Sequence, residues 1–294
     1  MQKIYPCLWF DGQAEEAARL YTSLFPRSKI GRAACYGKSA SQASGQKEGT
    51  TMTVEFELEG QRILGLNGGA HFKFSPALSF FVLRNSEEAI DRLWEGLSSG
   101  GETRMPLNKY PWAEKYGWTT DRFGVEWQLM LTPQEQKIVP AFLFVKEQFG
   151  KGEEAIHFYQ SVFKNSKIDS LSRDEATKTI QHCAFSLEGV GFVLMEGQGE
   201  HNFTFTPAFS LVVDCQNQQE IDDYWAKLSA GGSPGHCGWL TDKYGVSWQI
   251  VPSGLSELMA VPQQAENVMA ALVEMKKLDL SRLEAAAQQA GSKA

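Results

Sequence analysis

Hydrophobic and polar positions along this chain follow two periods in turn, and the sequence of periods starts over halfway. Tyr5 to Phe10 is a short unbroken apolar run, which predicts a buried strand. From Ala14 to Phe25 the apolar residues Ala17, Leu20, Tyr21, Leu24 and Phe25 recur at three- and four-residue spacing behind Glu15 and Glu16, which predicts a helix with acids in its first turn. Ile30 to Tyr36 predicts a second strand, and Ser39 to Gly49, rich in Ser, Gln and Gly, reads as a loop. Met52, Val54, Phe56 and Leu58 alternate at period two, and Glu59-Gly60 turns them into Arg62 to Leu66, a hairpin. The same order returns in Leu78 to Leu83 (strand), Glu87 to Leu97 (helix, ended by Gly100-Gly101) and a hairpin of Trp118 to Asp121 with Val125 to Leu131. This is two βαβββ units in succession.

The pattern then repeats as sequence. Glu15 to Ile30 and Glu153 to Ile168 are identical at 9 of 16 positions, and Trp118 to Gln128 matches Trp239 to Gln249 at 7 of 11. The blocks keep their order, so a module of ~125 residues, the size of a compact domain, occurs twice in tandem. The expected organisation is 1–134 for the first module, 135–254 for the second and 255–294 for a helical tail. Within the tail, Val268, Met269, Leu272, Met275 and Leu278 form one stripe of an expected helix from Ala265 to Ala287, suited to covering a sheet edge or a dimer surface. The second module lacks ten residues: where the first has Glu102 to Gly117, with Tyr110, Trp112 and Tyr116, the second has only Ser233 to Gly238.

Composition narrows the partners. The 28 basic and 35 acidic residues give a net charge of −7 with no basic stripe, which argues against nucleic acid. No apolar run reaches the ~20 residues of a membrane span, and Met1-Gln2-Lys3 leads into Ile4 without a signal-peptide core, so a cytoplasmic location is expected. Five scattered cysteines without a CxxC pair read as reduced thiols.

Three stretches carry a family resemblance: Asn67-Gly68-Gly69 with Phe72 to Ser79, its counterpart Phe203 to Ser210, and Cys237 to Pro252. With Met275 to Asp279 and Leu283 to Ala286 in the tail, they resemble PhnB-like proteins, a family often labelled 3-demethylubiquinone-9 3-methyltransferase, within the vicinal-oxygen-chelate superfamily of glyoxalase I, bleomycin-resistance proteins and extradiol dioxygenases. The resemblance implies an α+β fold in which paired βαβββ units curl into cups, two in this chain, with the ligand or metal site on the cup floor. It also implies pairing of the two modules within the chain, in the way that single-module relatives form dimers; a homodimer of whole chains stays open.

Metal-dependent members of that superfamily carry His or Glu on the first, fourth, fifth and eighth strands of a cup. Here those places hold Cys7 and Trp9, Asn67, Ser79 and Gln128 in the first module, and Ala141, Glu196, Ser210 and Gln249 in the second. One carboxylate is too few for a divalent site, which needs three or four ligands. A methyltransferase would need a Gly-rich turn opening a helix, but Glu196-Gly197-Gln198-Gly199 runs into His201 to Pro207, which cannot start one. The expectation is therefore a small-molecule binding protein without cofactor, whose ligand is organic and flat. The expected lining is Trp9, Tyr36, Asn67, Ser79, Trp112, Trp118 and Gln128 in a first, functional cup, and Glu196, Ser210, Cys237, Trp239 and Gln249 in a second, mainly structural one. Trp112, which has no counterpart in the second module, is the candidate lid. The alternative is a metal-dependent lyase, isomerase or dioxygenase using Glu126 or Glu196; a pure interaction scaffold would have no pocket. His236-Cys237 is poor geometry for a nucleophile pair, because neighbours on an extended segment face opposite ways.

Overall fold

The structure is a computed structural model and describes residues 2–133 and 136–289; the expected boundary at 134/135 lies outside them. The first half contributes β1 (Ile4–Phe10), α1 (Ala14–Leu24), β2 (Lys29–Cys35), α2 (Lys38–Ser44), β3 (Thr51–Leu58), β4 (Gln61–Asn67), β5 (Leu78–Arg84), α3 (Glu87–Ser98), β6 (Glu102–Tyr110), β7 (Ala113–Thr120) and β8 (Glu126–Leu131). The second contributes β9 (Lys137–Phe144), α4 (Gly152–Val162), β10 (Lys167–Arg173), β11 (Ile180–Leu187), β12 (Val190–Glu196), β13 (Phe209–Cys215), α5 (Gln218–Ser229), β14 (Ser233–Pro234), β15 (Trp239–Thr241) and β16 (Ser247–Pro252). The tail holds α6 (Leu255–Leu258), α7 (Pro262–Val273) and α8 (Leu280–Gln288).

The described residues form two eight-stranded sheets, and each takes four strands from either half. Sheet A runs β14-β15-β16-β13-β1-β4-β3-β2, and sheet B runs β10-β11-β12-β9-β5-β8-β7-β6. At each centre two first strands meet antiparallel: β1 with β13, Cys7 opposite Ser210, and β5 with β9, Ser79 opposite Ala141. These strands are buried on both faces, so an unpaired edge here would leave backbone groups without partners. The grouping of cup residues by module is thereby corrected. Trp9, Tyr36 and Asn67 belong with Ser210, Trp239 and Gln249, and Ser79, Trp112, Trp118 and Gln128 belong with Glu196.

Units of the same half meet through their helix-bearing faces instead. Tyr21 and Phe25 on α1 and just after it pack on Trp127 of β8, with ring centroids 5.0 and 5.6 Å apart. Inside this core the buried Asp121 carboxylate accepts from the Tyr21 hydroxyl at 2.6 Å, Trp127 Nε1 at 2.8 Å, and the amides of Phe123 and Val125. Asp242 repeats this with Tyr159, Trp248, Tyr244 and Val246. Burial pushes both carboxyls above the ordinary range, so the four donors are what make an acid tolerable there. The turn before each hairpin needs its glycine pair: Gly100 and Gly231 have φ of 74° and 76°, and a Cβ on Gly101 or Gly232 would lie 2.0 or 2.1 Å from a carbonyl oxygen.

Two expectations about local structure change. Lys38 to Ser44 is a helix, not a loop, because the Glu266 carboxylate of α7 accepts from the Ser39 amide at 2.6 Å and from its hydroxyl, supplying from the tail the cap that the local sequence lacks. The tail stripe is broken into α7 and α8. Asp279 caps α8 by accepting from the Arg282 amide, and the carbonyls of Met275 and Lys276 between the helices accept from Cys237 and Gly238 at 2.8 Å each.

Removing the hydroxyl that joins α1 to the β7–β8 turn leaves a buried carboxylate short of one donor, so Tyr21→Phe is expected to lower the unfolding free energy by about 1–3 kcal/mol. Urea unfolding followed by tryptophan fluorescence measures it; an unchanged midpoint would show that the bond contributes nothing.

Candidate functional site in the cup of sheet B

Helices α1 and α3 to α5 cover one face of each sheet, and strand alternation hands every second residue to the other, cup face. On β5, Leu78, Phe80 and Val82 enter the helix-side core while Ser79, Phe81 and Leu83 face the cup. The cup of sheet B is walled by Phe81, Leu83, Val139, Ala141, Val193, Met105, Met130 and Met195. Its floor polar groups satisfy one another: Gln128 Nε2 donates to Ser79 Oγ at 2.9 Å and accepts at Oε1 from the Tyr116 hydroxyl at 2.6 Å. Beside them Glu126, 1% exposed, accepts from Arg104 Nε at 2.8 Å on both oxygens, from Trp118 Nε1 at 2.9 Å and from Thr120 Oγ1 at 2.9 Å. Aromatic rings stand at the mouth. Tyr110 and Trp112 stack at 5.0 Å, Trp112 meets the edge of Tyr116 at 5.9 Å, and Trp112 itself is 60% exposed.

The cup of sheet A is already occupied by its own side chains. Gln249 Nε2 donates to Ser210 Oγ at 3.0 Å, the pair repeated from Gln128 and Ser79, and both reach the Cys7 thiol. Arg62 lies 4.0 Å over the Tyr5 ring and bonds to Glu55 at 3.2 Å and Asp214 at 3.4 Å. Trp9 donates to the Gly69 carbonyl at 2.7 Å and meets Phe72 and Trp239 edge-on. The tail closes this end: Val251 on the cup face touches both the cup cluster and the tail cluster of Val268, Leu272, Met275 and Leu278. The tail bonds to Cys237 and Gly238, beside the shortened β14–β15 hairpin, where sheet B instead extends the long β6–β7 hairpin.

Not every expected site residue reaches a cup. Asn67 and Glu196, at equivalent strand ends, turn to the helix side: Asn67 Oδ1 accepts from the first amide of α1 at 2.9 Å, Glu196 Oε1 from that of α4 at 2.9 Å, and each ties down a neighbouring strand. Tyr36 has its hydroxyl engaged by the Asn67 carbonyl at 2.6 Å. Cys237 sits at φ 57° with its amide held by the tail, and burial raises its thiol, which suits packing rather than attack. Ser79, Trp118 and Gln128 do share the sheet-B cup, while Trp9, Ser210, Trp239 and Gln249 share that of sheet A.

Sequence reasoning passed over Arg62, Arg104 and His182. His182 follows from β11 itself, since its neighbour Cys183 enters the helix-side core and so His182 must face the cup, where its ring meets Phe81 at 5.7 Å.

A family model described as 3-demethylubiquinone-9 3-methyltransferase matches residues 2–130 and again 136–251. The chain belongs to this family. The PhnB protein from Bacillus cereus is 40% identical over 45% of this chain and 100% of its own, with a TM-score of 0.41. A protein from Staphylococcus aureus is 34% identical over 45% of this chain and 97% of its own, with a TM-score of 0.19. Glyoxalase I from Zea mays covers 87% of this chain and 94% of its own at 12% identity, with a TM-score of 0.57, and so shares the fold. No curated protein matches the chain. The fold is thus the glyoxalase fold with two tandem repeats; Gly197 to Gly199 leads through a loop to β13 and opens no helix.

The thiols give a simple check of this geometry. Burial pushes Cys7 and Cys183 up to about 11 and Cys215 up to about 12, whereas Cys35 is exposed. At pH 8 a disulfide reagent is expected to titrate Cys35 rapidly, Cys237 slowly and the other three only after unfolding. Fast reaction at Cys7 would mean that the floor of sheet A is open.

Proposed function

We propose that the protein binds a small, flat, largely apolar organic molecule in the cup of sheet B, without a metal ion. The observation that carries this reading is the contrast between the cups. One is filled by the Arg62 cluster and closed by the tail, while the other presents partly exposed Trp118, Tyr110, Met105, Met130 and Met195 above a floor whose amide and hydroxyl are already paired. Rings and thioethers of this kind grip flat apolar surfaces.

The superfamily's metal chemistry finds a poor donor set here. Glu126, the acid on this floor, has both oxygens engaged by Arg104, Trp118 and Thr120, and the positions beside it hold Ser79, Gln128 and Ala141. Among the described residues no group of three His, Cys, Asp or Glu side chains converges. Glu196, the other acid in the alternative reading, binds the start of α4 instead. No helix among the described residues is long and apolar enough to cross a membrane, and the five free cysteines fit a cytoplasmic setting.

Calorimetric titration with 2-naphthol as probe tests the reading. Trp112→Ala is expected to weaken binding about fivefold, the equivalent of ~1 kcal/mol for one aromatic contact, and Trp239→Ala in the other cup to leave it unchanged. Protein purified without chelator is expected to bind equally well after EDTA dialysis. The reverse order of the two variants would move the site to sheet A, and a stoichiometric metal lost in Glu126→Gln would contradict a metal-free cup.

A further inference from the structure

On the proposed reading of the sheet-B cup, we infer that His182 selects the ligand, and that the ligand class is an apolar ring carrying a hydroxyl that can donate a hydrogen bond. The other polar side chains on the floor have their bonds made: Gln128 with Ser79 and Tyr116, and Glu126 with Arg104, Trp118 and Thr120. His182 is different. It stands on β11 opposite Ser172, faces the cup, touches Phe81 edge-on at 5.7 Å, and makes no hydrogen bond to another described residue. The equivalent place in sheet A, on β3 beside the edge strand β2, is Thr53, so the imidazole is specific to this cup.

The chemistry of the group sets the class. Burial, with Lys137 adding to it, holds the imidazole below its usual range, so at neutral pH the ring is uncharged and offers one acceptor nitrogen and one N–H. A ring hydroxyl meets that acceptor without bringing a charge into an apolar cup. A neutral imidazole brings a carboxylate no charge of its own against the cost of desolvation beside Phe81 and Met195, so the hydroxyl is the better partner for this nitrogen. The site is also composite: Phe81 comes from the first half of the chain and His182 from the second, so neither half alone would hold the hydroxyl and the ring together.

The test compares 2-naphthol with its methyl ether, 2-methoxynaphthalene, which has the same rings and no donor, on the full chain and on H182L and H182Q. The wild type is expected to prefer the naphthol by about fivefold to tenfold, the range for one net hydrogen bond. H182L is expected to lose that preference while binding the ether as the wild type does, and H182Q, which keeps an acceptor, to retain part of it. An unchanged preference in H182L, or its loss in both variants alike, would overturn the role of His182 while leaving the cup as the binding site. Failure of the wild type to bind either compound would instead remove the reading on which this inference rests.

Discussion

Two antiparallel pairings of first strands, β1 with β13 and β5 with β9, are the constraint from which the rest of the architecture follows. Each βαβββ unit lays its strands in the order first, fourth, third, second, which leaves the first strand on an open edge although it is apolar on both faces. Such an edge must be paired, and in this chain it is paired with a unit from the other half. The helix-side cores then hold together units of the same half, through Tyr21 to Asp121 and Tyr159 to Asp242. Edge pairing across halves and face packing within halves interlock the repeats, so neither cup belongs to one repeat.

Duplication gave the two cups the same floor, and later substitutions separated them. The Ser-Gln pair survives in both, as Ser79 with Gln128 and Ser210 with Gln249. Around it, sheet A carries Arg62 over the Tyr5 ring, ion-paired with Glu55 and Asp214. Sheet B has glycine and valine at the equivalent places, Gly191 and Val139, and its cup face stays apolar there. The shorter hairpin of the second repeat and the tail belong together: the segment joining α7 to α8 bonds to the stub, and the tail cluster packs on Cys237 beside it.

The repeat, the order of elements and the glyoxalase-type fold were legible in the chain because periodicity and the matching blocks are local signals. Which halves form a cup was not, for a physical reason: β1, β5, β9 and β13 are all short apolar runs, and nothing in such a run states which other open edge it will meet. Ser79, Trp118 and Gln128 face the cup, as strand alternation predicts for residues in mid-strand. Asn67 and Glu196 escape that alternation because they sit at the last strand residue, where the side chain turns to the helix and satisfies its first amide. The α2 helix stayed hidden since its cap, Glu266, lies 227 residues away in the chain.

Methionine methyl groups report on both cups at once, because Met105, Met130 and Met195 line the sheet-B cup while Met259, Met269 and Met275 lie in the tail cluster over sheet A. Titrating methyl-labelled protein with 2-naphthol and following these signals by NMR is the most direct measurement of which cup is open. Shifts confined to Met105, Met130 and Met195 are the predicted result. Shifts in the tail methionines with the other three unmoved would contradict it.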